Sequence, residues 1–200
     1  MELTDLDLKK LQDTFIELLE STKREGIDKL IKFLKNTDFF TAPASTRFHG
    51  SYKGGLLVHS LNVYECLKAI KENEIFGIKD IKDESLIICA LLHDICKTLY
   101  YSEDTRNVKN KETGKWEQVP FFQVENQIVS CGEHGDKSIA MVSQYIKLSP
   151  EEMAAIRWHM GAYEGTQIYN TLGLAFERYP LSFAMHVADQ LATHRLEVGE

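Results

Sequence analysis

The sequence predicts a mostly α-helical domain with one inserted β-hairpin. Most of the chain repeats its apolar residues at helical spacing, and one short segment instead combines alternating apolar residues with a turn signal. The chain has 200 residues, 44% of them hydrophobic, which is enough for one sizeable core. We therefore predict a single domain over residues 1–200, with N-terminal helices and a loop in residues 1–53 and the functional core in residues 54–196.

The N-terminal half is predicted to contain four helices and a long ordered loop. Thr4 is a suitable cap for the first helix. The fourth helix is apolar on almost every side through Leu86–Leu92 and should be central. Between the second and third helices, Pro43, Gly50 and Gly54 interrupt a polar stretch that predicts a loop or a lid. The predicted helices cover residues 4–20, 25–35, 55–73 and 83–96, and the loop covers residues 36–55.

The C-terminal half is predicted to begin with the hairpin and to end in helices. The Lys-Glu-Thr-Gly turn at residues 111–114 lies between two segments that we assign to strands, so the hairpin covers about residues 106–124. Ser149 and Pro150 mark the beginning of one later helix. The predicted helices cover residues 133–146, 150–160 and 180–196, with a shorter one near residues 167–177.

Composition excludes several classes of function. There are 23 Lys and Arg residues against 30 Asp and Glu, a net charge of −7, which disfavours binding of a nucleic acid along a broad basic surface. The longest apolar run has seven residues, far fewer than the roughly 20 of a membrane span. The acidic N-terminus does not resemble a secretory signal, so we expect a cytosolic protein. The four cysteines form no Cys-x-x-Cys pair, and we interpret them as reduced core residues rather than zinc ligands.

Polar residues on apolar helix faces are the most informative feature, because their burial is unfavourable unless they find a partner. Each of them alone has an ordinary explanation, such as a core histidine bound to a carbonyl group. Together they form a set of imidazoles and carboxylates at inward or helix-end positions, a donor set that suits a divalent transition metal. The set consists of His59, His93, Asp94, His134, His159 and Asp189.

This order of residues resembles the HD-domain metal-dependent phosphohydrolases. The resemblance lies in Gly-Gly-Leu-Leu-Val-His-Ser-Leu at residues 54–61, Ala-Leu-Leu-His-Asp-Ile-Cys-Lys at residues 90–97, Gly-Glu-His-Gly-Asp-Lys-Ser at residues 132–138 and Ile-Arg-Trp-His-Met-Gly at residues 156–161. The first of these segments is also similar to the HD domain of bacterial 3′-to-5′ exoribonucleases. Two departures are Cys96, where glycine is commoner, and the hairpin, which lengthens the spacing to His134.

The resemblance implies a role for each residue of the set. His59, His93, Asp94 and Asp189 match the ligands of a first metal ion, and His134 and His159 match the extra ligands of binuclear members, in which Asp94 bridges the two ions. One or two divalent ions are implied (Mn, Fe, Co, Ni, Zn or Mg). Asp94 and Lys97 are the expected catalytic residues.

Lys97 is also a candidate for holding a phosphate oxygen, although a cation at a helix C-terminus is an equally good explanation of this residue. Arg47, His49 and Lys53 add further candidate phosphate ligands from the predicted loop.

The leading hypothesis is a metal-dependent phosphohydrolase. It would cleave a phosphomonoester or phosphodiester of a nucleotide or a small phosphorylated metabolite with a metal-activated hydroxide. Three alternatives stay open: a 3′-to-5′ nuclease-like phosphodiesterase, a di-iron oxygenase of the HD type, and a non-catalytic nucleotide-binding domain. The expected partner is a small phosphorylated substrate, with neither a membrane nor, on the charge balance, a nucleic acid; the oligomeric state is open.

Overall fold

The computed structural model describes residues 3–125, 131–164 and 169–198, and it confirms the mostly helical fold with an inserted hairpin. This part of the chain contains eight α-helices and one two-stranded antiparallel sheet. The helices are α1 (Asp5–Ser21), α2 (Ile27–Lys35), α3 (Gly55–Lys71), α4 (Asp83–Leu92), α5 (His134–Val142), α6 (Pro150–Arg157), α7 (Tyr169–Arg178) and α8 (Pro180–Leu191). The strands are β1 (Tyr101–Lys109) and β2 (Trp116–Val124).

The N-terminal helices cover one side of the core. Thr4 and Asp7 form a capping box at the beginning of α1, which buries Phe15 and Leu19. The following helix, α2, buries its own apolar face, and α1 contacts α2, α3 and α4. These two helices therefore close the bundle on the side of α3 and α4.

The loop between α2 and α3 lies where the sequence predicts a loop or a lid, and aromatic packing orders it. Phe39 and Phe40 are buried, and their ring centroids lie 5.2 and 5.4 Å from that of Phe15. Gly54 caps α3 in the left-handed conformation (φ 85°), which favours glycine. At Gly55 a Cβ atom would lie 1.9 Å from the carbonyl oxygen of Gly50, so only glycine permits this close approach of the loop to the helix.

Helix α4 is central, but it ends earlier than predicted. Its residues from Leu86 to Leu92 are buried, in agreement with its apolar sequence. The predicted helix at residues 83–96 instead stops at Leu92, because Asp94 leaves helical geometry (φ −110°, ψ 18°) and a short 3₁₀ turn, Ile95–Lys97, follows. This break aims Asp94 and the 3₁₀ turn in new directions, while His93 caps α4.

The hairpin is longer than predicted. Its nine residue pairs extend from Lys109 opposite Trp116 to Tyr101 opposite Val124, so β1 begins at Tyr101 and not near residue 106. The charged residues Glu103 and Asp104 conceal the first part of this strand from pattern analysis, since exposed strands need no apolar alternation.

The last helices complete the bundle. Helix α6 contacts α4, α5 and α8, and α8 also contacts α3. Helices α5 and α6 are shorter than predicted, and α8 continues into a π-helical turn, Ala192–Leu196, so the predicted helix at residues 180–196 is one α-helix followed by this turn. The predicted helix near residues 167–177 corresponds to α7, although residues 167 and 168 lie outside the described residues. No helix in the described part of the chain is both long and apolar enough to cross a membrane.

A buried ion pair joins α4 and α6 to the turn before α2. The carboxylate of Glu152 is fully buried and forms short contacts with the guanidinium of Arg24, which also lies 3.4 Å from Glu84. Ser85 donates a hydrogen bond of 2.7 Å to the same Glu152 carboxylate. Because burial of an unpaired charge is strongly unfavourable, this contact links the three segments.

Candidate metal centre

His59 lies at the middle of the candidate centre, between two carboxylates. It faces inward from α3, and its Nε2 atom is 3.1 Å from Oδ1 of Asp189 on α8. Its Nδ1 atom lies 3.1 and 3.2 Å from the two carboxylate oxygens of Glu197, just after the π-helical turn. Asn62 donates a hydrogen bond of 3.0 Å to Glu197 and so holds this carboxylate in place.

Two further imidazoles are oriented by the backbone. Nδ1 of His93 donates a hydrogen bond of 2.8 Å to the carbonyl oxygen of Ala90, and Nδ1 of His159 donates one of 2.7 Å to that of Ile156. A carbonyl group can only accept, so the proton of each neutral ring is on Nδ1 and the lone pair is on Nε2. In both residues Nε2 is therefore the atom available to a metal.

Asp94 lies where these rings meet. One oxygen, Oδ2, accepts a hydrogen bond of 2.7 Å from Nζ of Lys97 and is 3.4 Å from Nε2 of His93. The other oxygen, Oδ1, lies 3.6 Å from Nε2 of His159, which is too long for a hydrogen bond. Both Oδ1 of Asp94 and Nε2 of His159 are buried without a hydrogen-bond partner among the described residues.

The charges of the site depend on one another. Burial disfavours the charged form of His59, yet Asp189 and Glu197 raise its pKa to about 9. Burial likewise opposes ionisation of Asp94, but Lys97 and His93 hold the pKa of this carboxyl well below its usual range. Burial alone would lower the pKa of Lys97, and Asp94 raises it, so both members of this pair stay charged. Carboxylates and a proton on His59 thus share a buried site.

These residues fit a divalent cation. The Nε2 atoms of His59 and His93 are 3.3 Å apart, and one atom each of His59, His93 and Asp94 lies within 4.8 Å of the others. Two nitrogen lone pairs that face each other repel unless a cation lies between them. When no metal is bound, this cation is the proton on His59. Asp189 adds a further oxygen beside His59. Two or three imidazoles with carboxylates form a donor set typical of Fe, Mn, Co and Zn sites.

The remaining predicted ligand, His134, lies on the far side of Asp94. It is the first residue of α5, and its Nδ1 atom is 3.4 Å from Sγ of Cys96. One ligand atom each of Asp94, Cys96 and His134 falls within 4.8 Å of the others. The structure thus brings together all six predicted ligands, and it adds Cys96, which sequence analysis assigned to the core.

The loop before α3 brings one of its three candidate residues to the centre. The ring of His49 lies 4.7 Å from that of His59, and burial, with the nearby His59 and Lys97, lowers the pKa of His49 to about 4. Lys53 points away to Asp5 on α1, at 3.3 Å, and Arg47 is exposed on the loop. Lys53 and Arg47 therefore do not contact the centre in this structure.

Glu197 is the site residue that sequence analysis missed. It lies beyond the apolar pattern of α8, in a polar segment that resembles an exposed tail. The step of eight residues from Asp189 to Glu197 includes the π-helical turn, which α-helical periodicity does not predict, so the sequence carries no clear signal for this carboxylate. His186, in contrast, has a structural role, since its Nδ1 atom donates a hydrogen bond of 2.7 Å to the carbonyl oxygen of His159.

The chain is similar to a curated archaeal enzyme. It is 28% identical to the dihydroneopterin 2′,3′-cyclic phosphate phosphodiesterase of Methanocaldococcus jannaschii, over 60% of this chain and 51% of the relative. The chain thus spans about half the length of that relative. No solved structure matches the chain significantly.

A family model agrees with this similarity. The model for the HD domain matches residues 56–194, which extend from the first turn of α3 to the π-helical turn. The matched region is more than half of the chain and contains all six predicted ligands. The chain therefore belongs to the HD-domain family.

Proposed function

We propose that this HD-type hydrolase cleaves a phosphoester of a small nucleotide-derived molecule with the help of one or two divalent metal ions. The observation that carries the proposal is the orientation of the histidines. His93 and His159 commit their Nδ1 protons to carbonyl groups, so that both Nε2 lone pairs face Asp94. Such a preset arrangement is typical of a metal centre, because the hydrogen bond at one ring nitrogen determines which atom binds the metal.

Each part of the candidate centre has a proposed task. His59, His93, Asp94 and Asp189 would hold the first ion, and His134 and His159 would hold a second ion that shares Asp94. A bound divalent ion lowers the pKa of a water molecule toward neutrality and withdraws charge from a phosphoryl group. Lys97 would bind a phosphate oxygen, since its ammonium group stays charged beside Asp94.

The similarity to a cyclic phosphate phosphodiesterase supports a small phosphodiester as the substrate. A compact, buried centre also suits a small molecule better than a long polyanion, and the net charge of −7 agrees with this choice. Nucleoside 2′,3′-cyclic phosphates are therefore the first substrates to test. A cytosolic location stays a prediction.

The proposal is tested by metal analysis and substrate screening of the same protein preparation. We expect bound transition metal and hydrolysis of nucleoside 2′,3′-cyclic phosphates or bis(p-nitrophenyl) phosphate, both abolished in His93→Ala and Asp94→Ala. His194→Ala is the matched control, because His194 is exposed and lies outside the centre. Full activity in either centre variant would contradict the proposal.

The same screen separates the alternative activities. Preferential cleavage of a labelled oligonucleotide would favour the nuclease hypothesis. Substrate-dependent oxygen uptake without phosphate release would favour an oxygenase. Metal binding without any hydrolysis across the panel would favour a nucleotide-binding domain.

A further inference from the structure

Cys96 differs from the other buried cysteine of the helical core in its surroundings. It lies in the 3₁₀ turn after Asp94, the residue is 2% exposed, and its Sγ atom is 3.4 Å from Nδ1 of His134. Cys89, by comparison, is buried within α4, with its sulfur 3.8 Å from the carbonyl oxygen of Glu152. Among the cysteines in the described part of the chain, Cys96 is therefore the one that belongs to a group of potential metal ligands.

Two buried atoms of the candidate centre have no partner in the described part of the chain, and one of them belongs to Asp94, which falls in the same ligand group as Cys96 and His134. They are Oδ1 of Asp94 and Nε2 of His159, which are 3.6 Å apart and have no hydrogen-bond partner among the described residues. A buried acceptor without a partner is unfavourable, so these two atoms suit the binding of a cation better than a hydrogen-bond network within the protein. Oxygen, nitrogen and sulfur donors thus meet on this side of Asp94.

The distances suit a transition metal. Zinc-like ions bind sulfur at about 2.3 Å and imidazole nitrogen at about 2.0–2.1 Å, so two such ligands at a tetrahedral angle lie roughly 3.5 Å apart. The observed separation of Sγ and Nδ1, 3.4 Å, is close to this value. A thiolate ligand would also select softer ions, Zn²⁺, Co²⁺ or Fe²⁺, over Mg²⁺ and Mn²⁺.

We propose that Cys96 supplies a thiolate ligand to the second metal ion, which Asp94, His134 and His159 also hold. This inference rests on the proposed function, because Asp94 is shared with the first ion. On binding, the sulfur–proton bond breaks, a sulfur–metal bond forms, and the proton passes to solvent, as happens with coordinating thiols generally. The cysteine that replaces the commoner glycine would thus determine which metals this chain accepts.

Cobalt spectroscopy of the full chain tests the proposal without relying on activity. The protein is freed of metal, loaded with Co²⁺ without oxygen, and examined for the number of bound ions and for the near-ultraviolet charge-transfer band of a cobalt–thiolate bond. The variants are Cys96→Ser and, as the matched control, Cys89→Ser. Competition between Zn²⁺ and Mn²⁺ is measured on the same proteins.

We expect two Co²⁺ ions and a thiolate band in the unmodified protein and in Cys89→Ser. In Cys96→Ser the band should vanish and the second ion should bind at least about 10-fold more weakly, because even residues that only support a ligand change metal affinity by that factor. The preference for Zn²⁺ over Mn²⁺ should fall with it.

Other outcomes separate this inference from the proposed function. Two bound ions without a thiolate band in the unmodified protein, or a band that survives in Cys96→Ser, would overturn the cysteine ligand and leave the metal-dependent hydrolase intact. Phosphoester hydrolysis that needs no metal would overturn the proposed function. Since the unmodified protein alone gives the decisive spectrum, the proposal stays testable even if Cys96→Ser does not fold.

Discussion

Removal of the Glu197 carboxylate should weaken the binding of the first metal ion. This residue is buried, and both of its carboxylate oxygens lie within 3.2 Å of Nδ1 of His59. Carboxylates in this position orient an imidazole ligand and increase its basicity, and their loss costs 10- to 100-fold in metal affinity. For Glu197→Ala we therefore expect a loss of about 1.4–2.7 kcal/mol of binding free energy.

The loss of metal affinity should depend on which residue replaces Glu197. Glu197→Gln keeps an oxygen that can accept the Nδ1 proton of His59, so its loss of affinity should be smaller than that of Glu197→Ala. Glu65→Gln is the matched control, since Glu65 is exposed on α3, the helix of His59, and pairs with Lys68. The affinities come from competition with a chromophoric chelator.

The comparison is best made at pH 9, near the pKa of His59. Below that pH, a proton competes with the metal for His59. Loss of Glu197 weakens the binding of this proton to His59 as well as the binding of the metal. Unfolding of the metal-free variants, followed by circular dichroism, measures any purely structural effect. Equal metal affinities for Glu197→Ala and the unmodified protein at pH 9, with both folded, would refute the role of Glu197.

Three further predictions concern stability and substrate binding. Because the pKa of His59 is raised from 6.5 to about 9, its stabilising contribution is complete below pH 6.5 and is lost as the pH rises through 9. The metal-free protein should therefore lose about 2 kcal/mol of unfolding free energy between pH 7 and pH 9, which calorimetry would detect as a fall of roughly 4–8 °C in Tm. An unchanged or rising Tm would contradict this prediction. Glu152→Ala should destabilise the fold by about 3–5 kcal/mol in denaturant titrations, because it leaves Arg24 partly buried without its main partner, whereas metal content after refolding should not change. Lys97→Met should keep its bound metal, by elemental analysis, but lose about 10-fold or more in kcat/KM, and full activity would exclude Lys97 as a phosphate ligand.

Sequence analysis predicted the fold class from periodic burial, and it predicted the six candidate ligands from their inward or helix-end positions and from the resemblance to HD domains. His59 and Asp189 could be identified since an ionisable residue on an apolar helix face is unfavourable without a partner. Glu197 could not, because its burial depends on the π-helical turn, which has no apolar signature of its own. The beginning of β1 was likewise hidden, since the hairpin is mostly exposed and its charged residues follow no alternation.

Cys96 illustrates a different difficulty. A cysteine in an apolar segment is usually a small core residue, and its spacing from other cysteines indicates no metal site. What changes its interpretation is the break in the helix after Leu92, which aims the 3₁₀ turn at His134. That break depends on the backbone geometry of Asp94, and a run of helix-favouring residues does not predict it.

The contact between His59 and Glu197 joins residues 138 positions apart in the chain. Closing so long a segment is entropically costly and belongs to the later steps of folding, after local helices have formed. A ribosome-bound chain that has emerged only as far as α8 would carry all six predicted ligands and still lack Glu197, which supports His59. Tight metal binding should therefore require that the segment after α8 has packed against α3, and metal uptake should report on that folding step.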